Sequence, residues 1–544
     1  MLEQKMKLKE KNLGLWMAVS GAVMALGLWH VLDVRAGVLE TGDGWLYGWY
    51  GALLIFGALV LGVLGCGMLG KKWSIEHIYV VSVLLLGVMY MVVLPPLSAP
   101  DEVSHFVSAY ELSDRLLGQE TRNEEGYVYI RAQDAFIEDV LDVLADDGSG
   151  YRDDGEQIPV VLGQELTEAT YRFIHEKGLG GSGEQGRALS YQPTVRTTPL
   201  AYVPQTLGIT LARILGLGGV GLLFLGRLCN LLFYAFVGYF TLKRMPFGKE
   251  VVCGAALLPM SLHLAASLSY DVMILALSGY FAAVCLDLAY KAERVQVRDI
   301  LALAVVMAVM GPCKMVYGAI VGFCLLIPVR KFGGWGKWAL SAALVLGAFA
   351  VAMAVVNLGT VAMYAQADEG YIAWAGETGY TFSELLHRPL HVLRMCYNTL
   401  MWEGEPLYSG MIGEALGNRD AVLNTPYFAV LGFTAVLVAL ALKKPGETNC
   451  MTMKNRLWIW FVCLAVLGAL MFSMLLAWTP VTSNVIRGVQ GRYLLPLLPI
   501  FLLTLKNDRV VRTSWDDRPM LFVMAAADIY VILRIFSVVC LRVG

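Results

Sequence analysis

The stretch Ile78-Tyr-Val-Val-Ser-Val-Leu-Leu-Leu-Gly-Val-Met-Tyr-Met-Val-Val-Leu94 runs directly into Pro95-Pro-Leu-Ser-Ala-Pro-Asp-Glu-Val-Ser-His-Phe106. The first half is an apolar run that reaches across most of a bilayer, for which about 20 helical residues are needed. The second half sets two adjacent carboxylates and a histidine where that span meets water. Prolines at 95, 96 and 100 end the helix and fix its exit, since proline lacks a backbone donor and bars helix in the residue before it. A new helix is expected beyond them, with Ser98 as cap and acidic side chains in the first turn. Residues four apart share a helical face, so Asp101 and His105 are expected to point the same way. Ser-x-Pro-Asp-Glu is also a generic helix start without chemistry, so the role of these residues is decided by the rest of the chain.

Of the 544 residues, 57% are hydrophobic and 16% charged, where soluble chains carry roughly 25% charged residues. Mean hydropathy is +0.60. The expected class is an all-α polytopic membrane protein. A net charge of −2 and no Lys/Arg-rich block give no basis for a nucleic-acid partner. Lys5, Lys7, Lys9 and Lys11 before an apolar run resemble a signal peptide, but no small-residue cleavage site follows, so a retained first span is expected. Ten cysteines are scattered through apolar runs, with none in 96–198; they read as small core hydrophobes, not a disulfide or metal framework.

Short-loop Lys/Arg bias sets orientation. A cytoplasmic N-terminus, with spans at 13–32, 46–69 and 75–94, delivers Asp101 and Glu102 to the outer face. Continued alternation puts Lys243, Arg244, Lys249, Lys291 to Arg298, Arg330 to Lys337, Lys443 to Arg456 and Lys506 to Arg512 inside. This requires 199–217, broken by Pro204, to be a re-entrant or interfacial helix on the outer side. Further spans are expected at 219–242, 251–268, 271–290, 298–312, 315–329, 337–358, 422–442, 457–478, 493–506 and 519–541, about thirteen in all. The expected divisions are 1–74 (two extra N-terminal helices), 75–358 (a transmembrane core with the outer loop 96–198), 359–421 (a second outer segment) and 422–544 (C-terminal helices). Loop 96–198 carries 20 Asp/Glu against 8 Lys/Arg, which reads as a solvated, partly helical surface. The Gly-Ser-Gly stretch at 180–186 reads as a flexible loop, and His387 to Trp402 as an aromatic helix suited to the membrane interface.

On this topology the costly polar groups gather at the outer level. Asp271 follows Ser267-Leu-Ser-Tyr270, Lys314 sits in Gly311-Pro-Cys-Lys-Met315, and Arg487 and Arg492 bracket Gly488-Val-Gln-Gly491. Arg227 and Asn230 lie inside a span. An ionisable group in a span costs roughly 2.5–3.5 kcal/mol even on lenient scales and is a functional candidate by default, although long cationic side chains also snorkel to headgroups. Asp101, Glu102, Asp271, Lys314, Arg487 and Arg492 together offer a base for an acceptor and cations for an anionic leaving group. Arginine suits phosphate through its two-pronged donor and lysine as a point charge. His105 is placed to orient a carboxylate, polarise a substrate or bind a metal; His263 reads as a packed core residue. No P-loop or nucleotide-binding glycine fingerprint is present, which argues against a nucleotide-activated substrate.

Pro100-Asp-Glu-Val-Ser-His-Phe106, Thr198-Pro-Leu-Ala-Tyr202, Ser267-Leu-Ser-Tyr-Asp271 and Gly488-Val-Gln-Gly-Arg-Tyr-Leu-Leu-Pro-Leu-Leu-Pro499 occur in that order. Over roughly 75–510 the chain resembles the bacterial membrane-protein family catalogued as domain of unknown function 2142, itself similar to the GT-C glycosyltransferases. The resemblance implies a polyprenyl-phosphate-linked sugar donor, an extracytoplasmic glycan or other acceptor, and a multi-pass protein of the bacterial cytoplasmic membrane acting in cell-envelope polysaccharide synthesis. It implies a catalytic acid at Asp101 or Glu102, with His105 nearby. It implies phosphate binding by Lys314, Arg487, Arg492 and Arg227, supported by Tyr270, Asp271, Gln490 and Tyr493. Asp101 and Glu102 also form a candidate site for a divalent ion, Mg²⁺ or Mn²⁺. Two spans precede the acidic motif where such enzymes commonly have one. A flippase or transporter of lipid-linked glycans, and a polymerase or ligase of them, remain as alternatives.

Overall fold

A computed structural model describes the chain except for residues 1, 136–149, 152–156, 159–165, 182, 196, 367–369, 420–421, 448–450, 512–515 and 543–544. Among the described residues, eight helices are long and apolar enough to cross a membrane: Asn12–Thr41, Trp45–Leu69, Ile75–Val93, Gly219–Arg244, Asp271–Tyr290, Trp335–Tyr364, Met453–Trp478 and Asp517–Leu541. This is a multi-pass, mainly helical membrane protein. The other five expected spans are shorter or broken, so among the described residues eight of the thirteen expected spans reach full length. Residues 251–268 become two short helices, Lys249–Ala256 and Pro259–Ala265, because Pro259 cannot continue the first. Residues 298–312 form the 17-residue helix Val297–Cys313, which ends at Pro312 and Cys313, and Met315–Leu326 winds as a 3-10 helix. Tyr427–Ala441 has 15 residues, and Pro496 and Pro499 reduce the region 491–506 to Gly491–Leu494 and Leu498–Leu503.

The two ends of the bundle differ. At one end, cations and acids tie the helices together: Lys71 to Asp516 at 2.8 Å, Lys249 to Glu76 at 2.5 Å, Arg244 to Asp287 at 2.7 Å and to Asp299 at 2.5 Å, and Lys444 to Glu250 at 2.7 Å. Lys331 Nζ caps the helix Asp271–Tyr290 by donating to the carbonyls of Leu288, Ala289 and Ala292. The other end carries the described residues between 94 and 218 and between 370 and 426. There, strand Val128–Arg131 pairs antiparallel with Arg187–Ser190, Val128 opposite Ser190. Gly180 forms an antiparallel bridge with Leu217, so the glycine-rich stretch expected to be a free loop is tethered at its start; Ser182, at its centre, lies outside the described residues.

The helix Val203–Ile214 is 12 residues long, too short for a bilayer. It buries Gln205, Ile209 and Ala212 and exposes Leu207, Leu211 and Ile214. Most buried apolar side chains form one core shared by the spans, and a second, smaller cluster unites Tyr380, Leu385, Met395, Met471, Leu475 and Ile486. The helix Pro389–Trp402 belongs to that second cluster and leaves Leu390, Leu393, Tyr397 and Leu400 exposed.

Candidate functional site

The chain leaves the span Ile75–Val93 through two prolines and turns at Asp101, whose backbone is left-handed (φ 56°). That conformation is strained for most non-glycine residues and is best tolerated by Asn and Asp. The helix Glu102–Leu116 then begins, with Asp101 at its N-cap position but its carboxylate not spent on capping. Ser98 does not cap the helix as expected; its hydroxyl donates to the Pro95 carbonyl at 2.6 Å. The Asp101 side chain is 49% exposed and thus open to a ligand.

Glu102, one residue on, faces the opposite way. Successive helical residues are rotated by roughly 100°, and of the two acids only Asp101 keeps an exposed side chain. Glu102 is fully buried against Arg227, whose Nε donates to Oε1 at 2.7 Å while Nη2 makes a short contact with Oε2. The backbone N–H groups of Ala99 and Leu268 also donate to the carboxylate, at 3.0 and 2.8 Å. Arg227 also donates to the Leu94 and Pro95 carbonyls, at 2.6 and 2.8 Å. Both expectations are thereby corrected. Glu102 has no face turned to a substrate, and Arg227, 1% exposed, is a brace for the proline turn instead of a phosphate ligand. The donor set fails equally for a divalent ion on Asp101 and Glu102, because Glu102 is already satisfied by N–H donors. Among the described residues no group of three His, Cys, Asp or Glu has metal-holding geometry.

Asp271 enters from the non-helical segment 267–270, which lies in the bundle and must have its backbone groups satisfied by side chains. Asn230 Nδ2 donates to the Ser267 and Ser269 carbonyls at 2.8 and 3.1 Å. Gln205 Nε2 donates to the Leu268 and Ser269 carbonyls, both at 3.2 Å. This explains Asn230 as scaffold. Lys314 follows Pro312 at the end of its helix and donates to Asp271 Oδ1 at 2.7 Å. Arg492 arrives on a turn that lies hard against the helix Gly404–Ile412: a Cβ at Gly491 would stand 2.1 Å from the Leu407 carbonyl oxygen, so only glycine permits the approach.

Four charges from distant parts of the chain therefore meet. Arg492 Nη2 lies 3.3 Å from Asp101 Oδ2, and its Nε lies 3.3 Å from Asp271 Oδ2 without hydrogen-bond geometry. The Arg492 side chain is 5% exposed. Lys314 Nζ sits 4.1 Å from the Tyr493 ring centroid and 5.3 Å from that of Tyr270, and the Arg492 guanidinium 5.2 Å from Tyr493. These rings hold the cations by their quadrupoles without cancelling their charge. The Tyr317 hydroxyl fixes Tyr493 through its carbonyl at 2.7 Å. Arg487 lies elsewhere, half-exposed and 3.7 Å from Glu403. Gln490 takes part through its backbone, its carbonyl accepting from Tyr493 N at 3.1 Å.

His105 is buried beside this cluster, with Nδ1 2.7 Å from the Tyr202 hydroxyl and its ring edge-on to Tyr270 at 5.1 Å. Tyr202 and Tyr317 were not singled out from sequence as site residues. Tyr202 stands in the Thr-Pro-Leu-Ala-Tyr motif, but nothing in its spacing pairs it with His105. Burial, the largest cause, lowers the His105 pKa to about 4, against a partial upward pull from Asp101 and Asp271. The ring is thus neutral in the folded state at neutral pH. Because its folded pKa lies below the unfolded value of 6.5, its contribution to stability is complete above about pH 6.5 and is lost as pH falls through about 4. The expected outcome is unfolding free energy that declines across this window, and less steeply in His105→Gln. Equal acid sensitivity in the two proteins, measured by denaturant unfolding at each pH, would contradict the burial of a neutral ring.

No curated protein and no solved structure matches the chain. A family model described as a predicted membrane protein, DUF2142, matches residues 84–501. That match takes in Asp101, Asp271, Lys314 and Arg492 and leaves the first two spans and the last helix outside it. By this match over most of its length, the chain belongs to the DUF2142 family of predicted membrane proteins.

Proposed function

We propose that the protein is an integral-membrane glycosyltransferase that moves a sugar from a polyprenyl-phosphate donor to an acceptor hydroxyl at the extracytoplasmic face of the bacterial cytoplasmic membrane, with inversion. The observation that carries this reading is an accessible carboxylate, Asp101, beside two largely buried cations, Lys314 and Arg492, at one end of a transmembrane bundle. Asp101 takes the proton of the acceptor hydroxyl as that oxygen bonds to the anomeric carbon. The bond from the anomeric carbon to the phosphate oxygen breaks, and its electron pair leaves with the phosphate. Arg492 and Lys314 stabilise the charge that develops there. Arg492 Nε, buried and without a hydrogen-bond acceptor, is a donor open to a phosphate oxygen. Two acids balance two cations in the cluster, so an entering phosphate competes with Asp101 and Asp271 for cations already in place. Neutral His105, steadied by Tyr202, lines the acceptor side as a polar wall.

The test is transfer and lipid-phosphate binding in charge-removing variants. Arg492→Gln is expected to slow transfer by about 10²–10³-fold, the range for loss of one stabilising donor, and to weaken binding of polyprenyl phosphate. Arg487→Gln, at a half-exposed side chain away from the cluster, is expected to leave both within a few-fold. Wild-type rates in Arg492→Gln, measured as initial velocities with a labelled lipid-linked sugar, would overturn the assignment.

A further inference from the structure

The segments outside the family match, residues 1–83 and 502–544, hold one side of the chain leading to Asp101, and they do so through the helix Glu168–Lys177. Its first residue donates its backbone N–H to the Arg542 carbonyl at 2.9 Å. The Tyr171 ring stacks on Phe536 at 4.9 Å and leans on Trp49 at 6.1 Å. Its hydroxyl donates to the Val93 carbonyl at 2.6 Å. The carbonyls of Leu94 and Pro95, next along the chain, are those gripped by Arg227. Docking of this helix thus acts on the same turn that carries Asp101. One turn beyond Tyr171, His175 lies flat on Trp45 at 4.4 Å and meets Trp49 edge-on at 5.8 Å.

At the centre of the contact Arg172 spans two carboxyl groups. Its Nε reaches Asp43 Oδ2 at 2.8 Å, in the turn between the first two spans, and its Nη2 reaches Glu168 Oε2 at 2.7 Å. These two donors share one edge of the guanidinium, so the two carboxyl groups lie side by side. One cation faces two acids. The Glu168 side chain has no exposed surface, and its Oε1 is buried without an N–H or hydroxyl partner. A single proton held between the carboxyl groups satisfies that oxygen and removes the surplus negative charge. Among the described residues, the other titratable groups around Glu168 include the Cys540 thiol and, through its contacts with Leu166 and Glu168 backbone, Arg542; His175 lies further along the helix.

We propose that this contact is a proton-operated clamp: while Asp43 and Glu168 share a proton, the helix Glu168–Lys177 is docked on the terminal helices, and loss of the proton releases it and loosens the turn bearing Asp101. The titration of the pair runs the same way. Burial, followed by the bond to Asp43, raises Glu168 to about 7, and the bond to Glu168 chiefly holds Asp43 below its usual range. The docked pKa of Glu168 exceeds its ordinary 4.5. Docking is therefore fully favoured below about 4.5, and the advantage is lost as pH rises through about 7, by up to about tenfold in the docking equilibrium per pH unit.

The consequence for sugar transfer rests on the proposed function, but docking itself is measured without any transfer. Hydrogen exchange of the Glu168–Lys177 amides is followed by mass spectrometry in the full-length protein in nanodiscs, from pH 5 to 8, with intrinsic rates corrected. Protection in the wild type is expected to fall by about tenfold per pH unit between 5 and 7 and then level off. Glu168→Gln, which keeps a neutral donor in place, is expected to stay protected throughout. Asp43→Asn, which leaves Glu168 a single partner in Arg172, is expected to move the fall below pH 5 and serves if the first variant does not fold. Flat protection in the wild type, or an unchanged slope in the variants, would overturn the clamp. An intact slope in a protein that transfers no sugar would leave the clamp standing and remove only its catalytic consequence.

Discussion

Asp101→Asn is expected to lower sugar transfer by about 10²–10⁴-fold, the usual worth of a positioned general base, in a protein that still folds and still binds lipid phosphate. Asparagine keeps the size of the side chain and tolerates the left-handed backbone that residue 101 adopts, so the substitution removes charge and little else. The side chain is half-exposed and its partner Arg492 is 3.3 Å away, so no deeply buried cation loses its sole counter-charge: Asp271 stays within 3.3 Å of the same guanidinium. Initial rates with a lipid-linked sugar, read beside a thermal unfolding curve, check both halves. A normal rate removes Asp101 from the chemistry.

Arg227→Met is expected to act on stability instead, costing about 3–5 kcal/mol, because it strands a buried carboxylate without its cation. Glu102 has no exposed surface, and the carbonyls of Leu94 and Pro95 would lose their donors as well. Adding Glu102→Leu is expected to recover part of that loss, since the stranded charge goes, though the Ala99 and Leu268 N–H groups then lack an acceptor. Reversible unfolding in mixed micelles measures the effect. A change below about 1 kcal/mol in the single variant would contradict a fully desolvated pair.

These two variants separate roles that two neighbouring letters in the sequence do not. Asp101 and Glu102 read as one acidic motif, and only the helical rotation between them and the partner on each side divides cleft from brace. Arg227 is 125 residues from Glu102, and no spacing rule links them. By contrast, the long apolar runs were legible: bilayer length and continuous hydrophobicity mark each of the eight long helices within a few residues, except the first, which extends to Thr41, and Trp335–Tyr364, which runs six residues past the expected end at 358. The broken segments were not, because an apolar run interrupted by Pro259 or by Pro496 and Pro499 has span-like composition but cannot carry one unbroken hydrogen-bond ladder. Asp271, Lys314 and Arg492 were conspicuous through the cost of charge near hydrocarbon. Tyr202 and Tyr317 were not, since a tyrosine in an apolar chain is inexpensive and its hydroxyl partner is invisible until the helices pack.

On the proposed function, an acid from an early segment and cations from late ones act together to break a glycosyl–phosphate bond. The most direct measurement is mass spectrometry and anomeric analysis of the products formed when the purified protein, in liposomes, meets a polyprenyl-phosphate-linked sugar and an acceptor glycan. The expected product is an acceptor heavier by one sugar, of inverted anomeric configuration, with free polyprenyl phosphate released in equal amount. Movement of the intact lipid-linked sugar between leaflets, with no glycosidic bond made or broken, would contradict it.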